Sequence, residues 1–259
     1  MQSISLDALK AQMPQAFVEK PSSRVSAKYT FIPTHKILND LDQLGWKIRS
    51  VQNPRYKSAG NQLHGKHLVR LFNPNLHISD GGDVNYVEIL LYNSSNGTSA
   101  FRLEVGIFRL VCSNGLVIKS EDFGTIKLRH KGYSFDSLKE AIDEMVGRLP
   151  SVVTKINTFS QRIMSSQEIR KFAEDAISLR NSGRQATQEE LDAILQAQRL
   201  EDEGNSLWAV FNRVQEALIN GGRLLVDRRG RQRTSKPIRN LDKNLKINQG
   251  LWQLAEAIA

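Results

Sequence analysis

The feature that most constrains this chain is a change in the spacing of its apolar residues near position 135. Before it, apolar and polar residues alternate, as in Trp46-Lys47-Ile48-Arg49-Ser50-Val51-Gln52. Phe101, Leu103, Val105 and Ile107 fall on one face, opposite Arg102 and Glu104. A period of two is the signature of strands. His67 to Phe72, Tyr86 to Tyr92, Phe101 to Leu110 and Thr125 to Arg129 are therefore further strand candidates. Asp80-Gly81-Gly82-Asp83, Asn93-Ser94-Ser95-Asn96-Gly97 and Cys112-Ser113-Asn114-Gly115 supply turns, because Asn and Gly tolerate positive φ. Strands joined by such turns predict an antiparallel meander.

From Phe135 onward the period is helical. Ser137-Leu138-Lys139-Glu140 fits a capping box opening a long helix toward Ile163, with Gly147 and Pro150 placed to kink or divide it. Helices follow at Ser166 to Leu179, from the second capping box Thr187-Gln188-Glu189-Glu190 to about Gln198, at Asn205 to Asn220 and at Asn240 to Ile258. A short helix from His35 to Leu44, capped by Thr34 and stopped by Gly45, precedes the strands; the first 33 residues read as mixed structure with an extended arm. The expected class is α+β, an antiparallel β-meander in the N-terminal half packed with a helical C-terminal half. The division falls at 1–135 and 136–259. One composite domain fits equally, since no flexible linker separates the halves.

The chain has 259 residues, 40% of them hydrophobic and 24% charged, which suits a folded protein with a core. No apolar run approaches the ~18 residues of a membrane span, and the first residues do not read as a signal peptide. A single cysteine, Cys112, excludes an internal disulfide and fits a reducing cytoplasm, the expected location.

The formal net charge is +9, and much of it sits in RLLVDRRGRQRTSKPIRNLDKNLK, Arg223 to Lys246. Nine Lys/Arg there face only Asp227 and Asp242. So dense a cluster repels itself unless a polyanion neutralises it. Gly230 and Pro237 make its centre a loop or hairpin. Arg228, Arg229, Arg231, Arg233, Lys236 and Arg239 are the first candidate nucleic-acid contacts, arginine's planar fork being suited to phosphate. A second group, Lys127, Arg129, His130 and Lys131, lies on an expected strand whose alternation puts the three cations on one sheet face. The bland reading of both groups is a solvated surface. Tyr29, Phe31, Tyr56, Tyr86, Tyr92 and Phe108 lie near basic residues as stacking platforms would, although aromatics at strand spacing usually belong to a core.

Other chemistry is weakly represented. His64, His67 and His77 lack the cysteines or paired carboxylates that complete a metal set. Nothing local activates Cys112 beside His130. Neither a Walker A loop nor a dinucleotide fingerprint occurs. A nuclease would need carboxylates around a metal, and Glu88, Glu104, Glu121 and Asp122 match no such spacing. No catalytic residue, metal or cofactor is expected.

The segment FRLEVGIFRLVCSNGLVIKSEDFGTIKLRHKGY, Phe101 to Tyr133, resembles the phage/plasmid-like domain-of-unknown-function family 932, of the prophage YfjQ/YafZ type. So do Ser26 to Thr34, KHLVRL at Lys66 to Leu71, EILLYNSSNGTSAF at Glu88 to Phe101, LWAVFNRVQEALINGG at Leu207 to Gly222, and RTSKPIRNLDKNLKINQGLWQLAE at Arg233 to Glu256. The likeness covers nearly the whole chain and is weakest near 140–200. It implies a prophage, plasmid or genomic-island setting and supplies no catalytic residues. Arg109, Arg129 and His130 lie in its motifs and are not explained by turns, so Arg109 joins the candidates.

The expectation is a mobile-element protein that binds nucleic acid, DNA before RNA, with single strands preferred, in recombination, annealing or replication support. Homo-oligomerisation is compatible with this, and a membrane is not an expected partner. The alternative is a protein-interaction module whose basic loop meets a host defence or replication factor.

Overall fold

The computed structural model describes residues 3–26, 29–52, 63–80, 83–98, 101–109, 115–117, 133–181, 183, 185–226 and 230–259. The chain divides into two compact units, Met1–Leu149 and Pro150–Ala259.

The first unit is built on a five-stranded antiparallel sheet in sequential order. Its strands are β1 (Lys47–Gln52), β2 (His67–Asp80), β3 (Asp83–Asn93), β4 (Arg102–Arg109) and β5 (Gly115–Val117). The expected meander is present, with β2 and β3 running further than the alternation suggested. Asp80 faces Asp83 where β2 and β3 pair. Val69, Leu71, Ile89, Leu91 and Leu103 fill one face of the sheet. The other face also buries apolar residues, Leu68, Phe72 and Leu90, together with Glu88 and Glu104. The expected strand Thr125 to Arg129 and the turn Cys112 to Gly115 lie outside the described residues, apart from Gly115 itself.

Helices flank this sheet in sequence. Helix α1 (Leu6–Gln12) was not foreseen in the mixed stretch before the arm; Ser5 caps it through the Ala8 amide, a signal carried by Ser-Leu-Asp-Ala-Leu. Just before it, the Ile4 amide bonds the Ile48 carbonyl of β1. Helix α2 (Thr34–Gln43) buries Ile37, Leu38 and Leu41. Thr34 does not cap it. The residue is buried, and its hydroxyl pairs with His67 at 2.8 Å instead. Helix α3 (Phe135–Gly147) starts before the expected box, because Ser134 is the N-cap and Ser137 completes the reciprocal pair.

The second unit is helical: α4 (Leu149–Gln161), α5 (Ser166–Asn181), α6 (Gln188–Leu195), α7 (Leu207–Asn220) and α8 (Leu241–Glu256). The long helix expected from Ser137 is thus two, broken at Arg148 between Gly147 and Pro150. The Thr187/Glu190 box is present as read. Helix α7 is buried almost all round, not only along Leu207, Val210, Phe211, Val214 and Leu218, so it is the axis of this unit. Phe211 stacks on Trp208 at 5.6 Å and meets Trp252 edge-on at 6.1 Å, while Phe159 closes on Trp252 at 5.1 Å. Gln215 donates to Asn248 at 2.9 Å, satisfying two buried amides between α7 and α8. Among the described residues no helix is long and apolar enough to cross a membrane.

Candidate nucleic-acid interface

The basic stretch begins where α7 ends. Gly221 and Gly222 have φ of 68° and 79°, and a Cβ on Gly221 would lie 2.5 Å from the Ser235 carbonyl oxygen. Only glycine fits that approach. The chain then forms a hairpin of β6 (Leu224–Val226) and β7 (Gln232–Thr234), with Leu224 opposite Thr234, Leu225 opposite Arg233 and Val226 opposite Gln232. Its root is extended by backbone bonds. The Gly222 amide donates to the Ser235 carbonyl at 2.9 Å, and the Ser235 amide to the Arg223 carbonyl at 2.8 Å. The Arg223 amide donates to the Ser235 hydroxyl at 3.0 Å. Beyond β7, the Ile238 amide reaches the Ile219 carbonyl of α7 at 2.9 Å.

Arg180, in the last turn of α5, fastens this root from outside. Its guanidinium donates to the Leu218 carbonyl of α7 and, at 2.6 Å, to the Lys236 carbonyl. Burial pushes its pKa below the usual arginine value; the group nonetheless stays charged at neutral pH.

Charge pairing separates this segment from the rest of its unit. Between 150 and 222, every described lysine and arginine is engaged. Lys155 pairs with Glu256 at 2.6 Å, Arg170 with Glu174 at 3.2 Å, Lys171 with Asp175 at 2.6 Å and Arg199 with Glu216 at 2.7 Å. Arg162 pairs with Glu168, and Arg213 donates to the Gly204 carbonyl at 3.0 Å. Lys236, Arg239, Lys243 and Lys246 are exposed, and none is ion-paired with a described residue. Asn240 caps α8 by accepting from the Lys243 amide at 2.8 Å. Lys243 therefore stands in the first turn, where the helix's own dipole disfavours a cation. Lys246, three residues on, shares its face.

Of the residues proposed from sequence, Arg231, Lys236 and Arg239 are exposed on this segment. Arg233 is placed in β7 by its backbone. Arg228 and Arg229 lie outside the described residues, as do Lys127, Arg129, His130 and Lys131. Arg109 ends β4 opposite Asn85, and its side chain is outside the description. Lys243 and Lys246 belonged to the basic stretch but were not singled out. Their spacing behind an Asn cap was the available signal. Arg180 and Ser235 were missed altogether, since both act through backbone carbonyls and amides that no motif announces.

The described part of the sheet holds its charges differently. A bulge between Ile48 and Ser50 sets Arg49 out of register, and its guanidinium reaches the fully buried Glu88 carboxylate. Arg70 holds the other Glu88 oxygen at 2.9 Å. Arg102 lies 3.8 Å from buried Glu104 and 4.5 Å from the Tyr92 ring centre. Glu88 and Glu104 are thus committed to arginines. Tyr92 is buried and Tyr86 packs edge-on to Phe72 at 5.8 Å, so both serve the sheet's packing.

His64 and His67 are structural in the same sense. His67 Nδ1 donates to the Gly65 carbonyl at 3.1 Å, and Nε2 accepts from Thr34, whose hydroxyl accepts from Asn93 at 3.0 Å. Burial pulls the His67 pKa down to about 4, so the ring is neutral and carries one proton. Asn93 also donates to the Ile32 carbonyl at 3.1 Å; it is a buried link, not only a turn residue. His64 bonds Ser95 at 2.7 Å. Among the described residues no group of three or more metal-ligating side chains comes together.

The family described as Domain of unknown function (DUF932) matches residues 21–252. The chain belongs to this family. Two Escherichia coli (strain K12) proteins are similar to it. The UPF0380 protein YafZ is 32% identical over 247 residues, covering 95% of this chain and 88% of that protein. The UPF0380 protein YfjQ is 31% identical over the same shares. No solved structure matches the chain. The DUF932 match spans the sheet, the helical unit and the hairpin.

Proposed function

We propose that this DUF932 protein binds nucleic acid, DNA in preference to RNA, through the β6–β7 hairpin and the start of α8. The observation that supports the reading is the row of cations without acidic partners, Lys236, Arg239, Lys243 and Lys246, following a stretch, 150–222, whose described cations are all engaged. Exposed charge left without a partner costs self-repulsion and is relieved by a phosphate chain with release of its counterions. Arg231 stands on the same segment, and Arg228, Arg229 and Arg233 extend it in sequence. The family resemblance suggests a prophage or plasmid setting, in which the protein serves recombination, annealing or replication, and single strands are the preferred form.

The test is binding of the full chain to labelled single- and double-stranded DNA across a salt series. A variant with Lys236, Arg239, Lys243 and Lys246 all changed to alanine is measured in parallel. Affinity should fall steeply with salt, and the variant's log–log salt slope should be shallower by up to about 4. Equal slopes in the two proteins would sink this interface. Absence of binding at low salt, with a stoichiometric protein recovered from nuclease-treated lysate, would transfer the surface to a host protein.

A further inference from the structure

A cavity of about 490 Å³ lies at the root of the hairpin. Its volume is in the range of small-molecule sites, ~300–1,000 Å³. One wall is apolar, formed by Ile177 of α5, Ile194 of α6 and Leu218 of α7. Arg223, Thr234 and Lys236 line it from the hairpin. Arg223 is only 8% exposed, and its Nε has no hydrogen-bond partner. The Glu216 carboxylate acts electrostatically on Arg223, but Arg199 already grips Glu216 through both oxygens at 2.7 and 2.8 Å. A buried guanidinium with an unused donor is costly unless something accepts from it. Arg180, also in the lining, spends its donors on the Leu218 and Lys236 carbonyls. The carboxylate of Glu190 completes the wall, with one oxygen accepting from the Thr187 amide at 3.1 Å.

We propose that this cavity binds a phosphate monoester with an organic body of nucleotide size. The phosphate meets Arg223 and Lys236, the body lies against Ile177, Ile194 and Leu218, and a donor on the body meets Glu190. The mixture of an apolar wall, three cations (Arg180 among them) and one carboxylate selects against inorganic phosphate, which fills neither the volume nor the apolar surface. Two sources carry this chemistry: a free mononucleotide, and the 5′-phosphorylated end of a strand lying on the hairpin. The second rests on the nucleic-acid reading; the first does not.

The experiment uses the full chain and calorimetric titration with deoxyadenosine monophosphate, deoxyadenosine and inorganic phosphate. A parallel binding assay uses oligonucleotides with a 5′-phosphate or a 5′-hydroxyl. Arg223→Gln removes the buried donor. Thr234→Tyr, on the exposed rim, blocks the mouth while keeping Arg223, and tyrosine suits a strand. It keeps the test decisive if Arg223→Gln does not fold. The monophosphate should bind at least about tenfold tighter than either fragment, and either folded variant should lose at least about tenfold. If the free nucleotide does not bind but the 5′-phosphate tightens strand binding, and Thr234→Tyr abolishes that gain, the strand end is the ligand. Mononucleotide binding without strand binding keeps the cavity and removes the DNA interface. Strand binding indifferent to the 5′-phosphate, with no mononucleotide binding, overturns the cavity and keeps the interface.

Discussion

The sheet of the first unit and the hairpin of the second both carry arginines, and they use them in opposite ways. Arg49, Arg70 and Arg102 turn toward Glu88, Glu104 and the Tyr92 ring, so their charge is consumed in holding the sheet together. Lys236, Arg239, Lys243 and Lys246 have no ion-pair partner among the described residues and contribute little to the fold. Positive residues in a sequence are therefore not equivalent to positive surface. Whether an acid lies across the strand decides which they become.

The sharpest way to break this contrast is to remove the acid that consumes charge in the sheet. Glu88→Ala leaves two largely buried guanidinium groups facing each other and should cost about 3–5 kcal/mol in urea unfolding. A loss below about 1 kcal/mol would show that the arginines find water as easily as the hairpin cations do.

His67 tests the same unit through pH. Its pKa of about 4 in the folded chain is below the ~6.5 of an unfolded histidine, so the unfolded state binds the extra proton between these values. The stabilising contribution is complete above about pH 6.5. It disappears as pH falls toward 4, by about 3 kcal/mol. A His67→Gln variant should show a correspondingly flatter acid limb; an unchanged limb would mean that the ring is not buried neutral.

At the hairpin, Gly221→Ala imposes a Cβ on the Ser235 carbonyl at a backbone angle unfavourable to alanine. The expected cost is about 1–3 kcal/mol, with faster amide exchange at Ser235 and Gly222. An unperturbed Ser235 amide would show that the root is looser than its bonds suggest. The smallest effect on stability belongs to the alanine replacements of Lys236, Arg239, Lys243 and Lys246. Each should change the unfolding free energy by less than about 0.5 kcal/mol, so a loss of DNA binding in the Arg239, Lys243 and Lys246 variants reports the interface alone. A large destabilisation would instead place these cations on the side of the sheet arginines.

Much of the fold was legible because local chemistry carried it. The alternation around Ile48 and Phe101 gave strands, and the Thr187/Glu190 box gave a helix start. Errors arose where a polar side chain was spent at long range. Thr34 looked like a cap, yet a buried histidine 33 residues away competes for its hydroxyl. Asn93 looked like a turn residue, yet its amide is needed by the Ile32 carbonyl 61 residues earlier. Ser137 resembled an N-cap because it is one half of a box whose other half is Ser134. The candidate site was legible as charge and not as geometry. Composition located the basic segment, but neither the clamp by Arg180 nor the cavity under Arg223 has a periodic or compositional trace.

The clamp has a kinetic and entropic consequence. Arg180 joins the end of α7 to the exit of the hairpin, and Ile238 is tied back to Ile219. The backbone carrying Lys236 and Arg239 is thus fixed before any ligand arrives. Ordering a long cationic side chain costs ~0.5–1.5 kcal/mol, and that toll falls here on side chains without a further toll for the main chain. A partner meeting this surface loses less freedom at the moment of contact than one that must first fold a disordered basic tail.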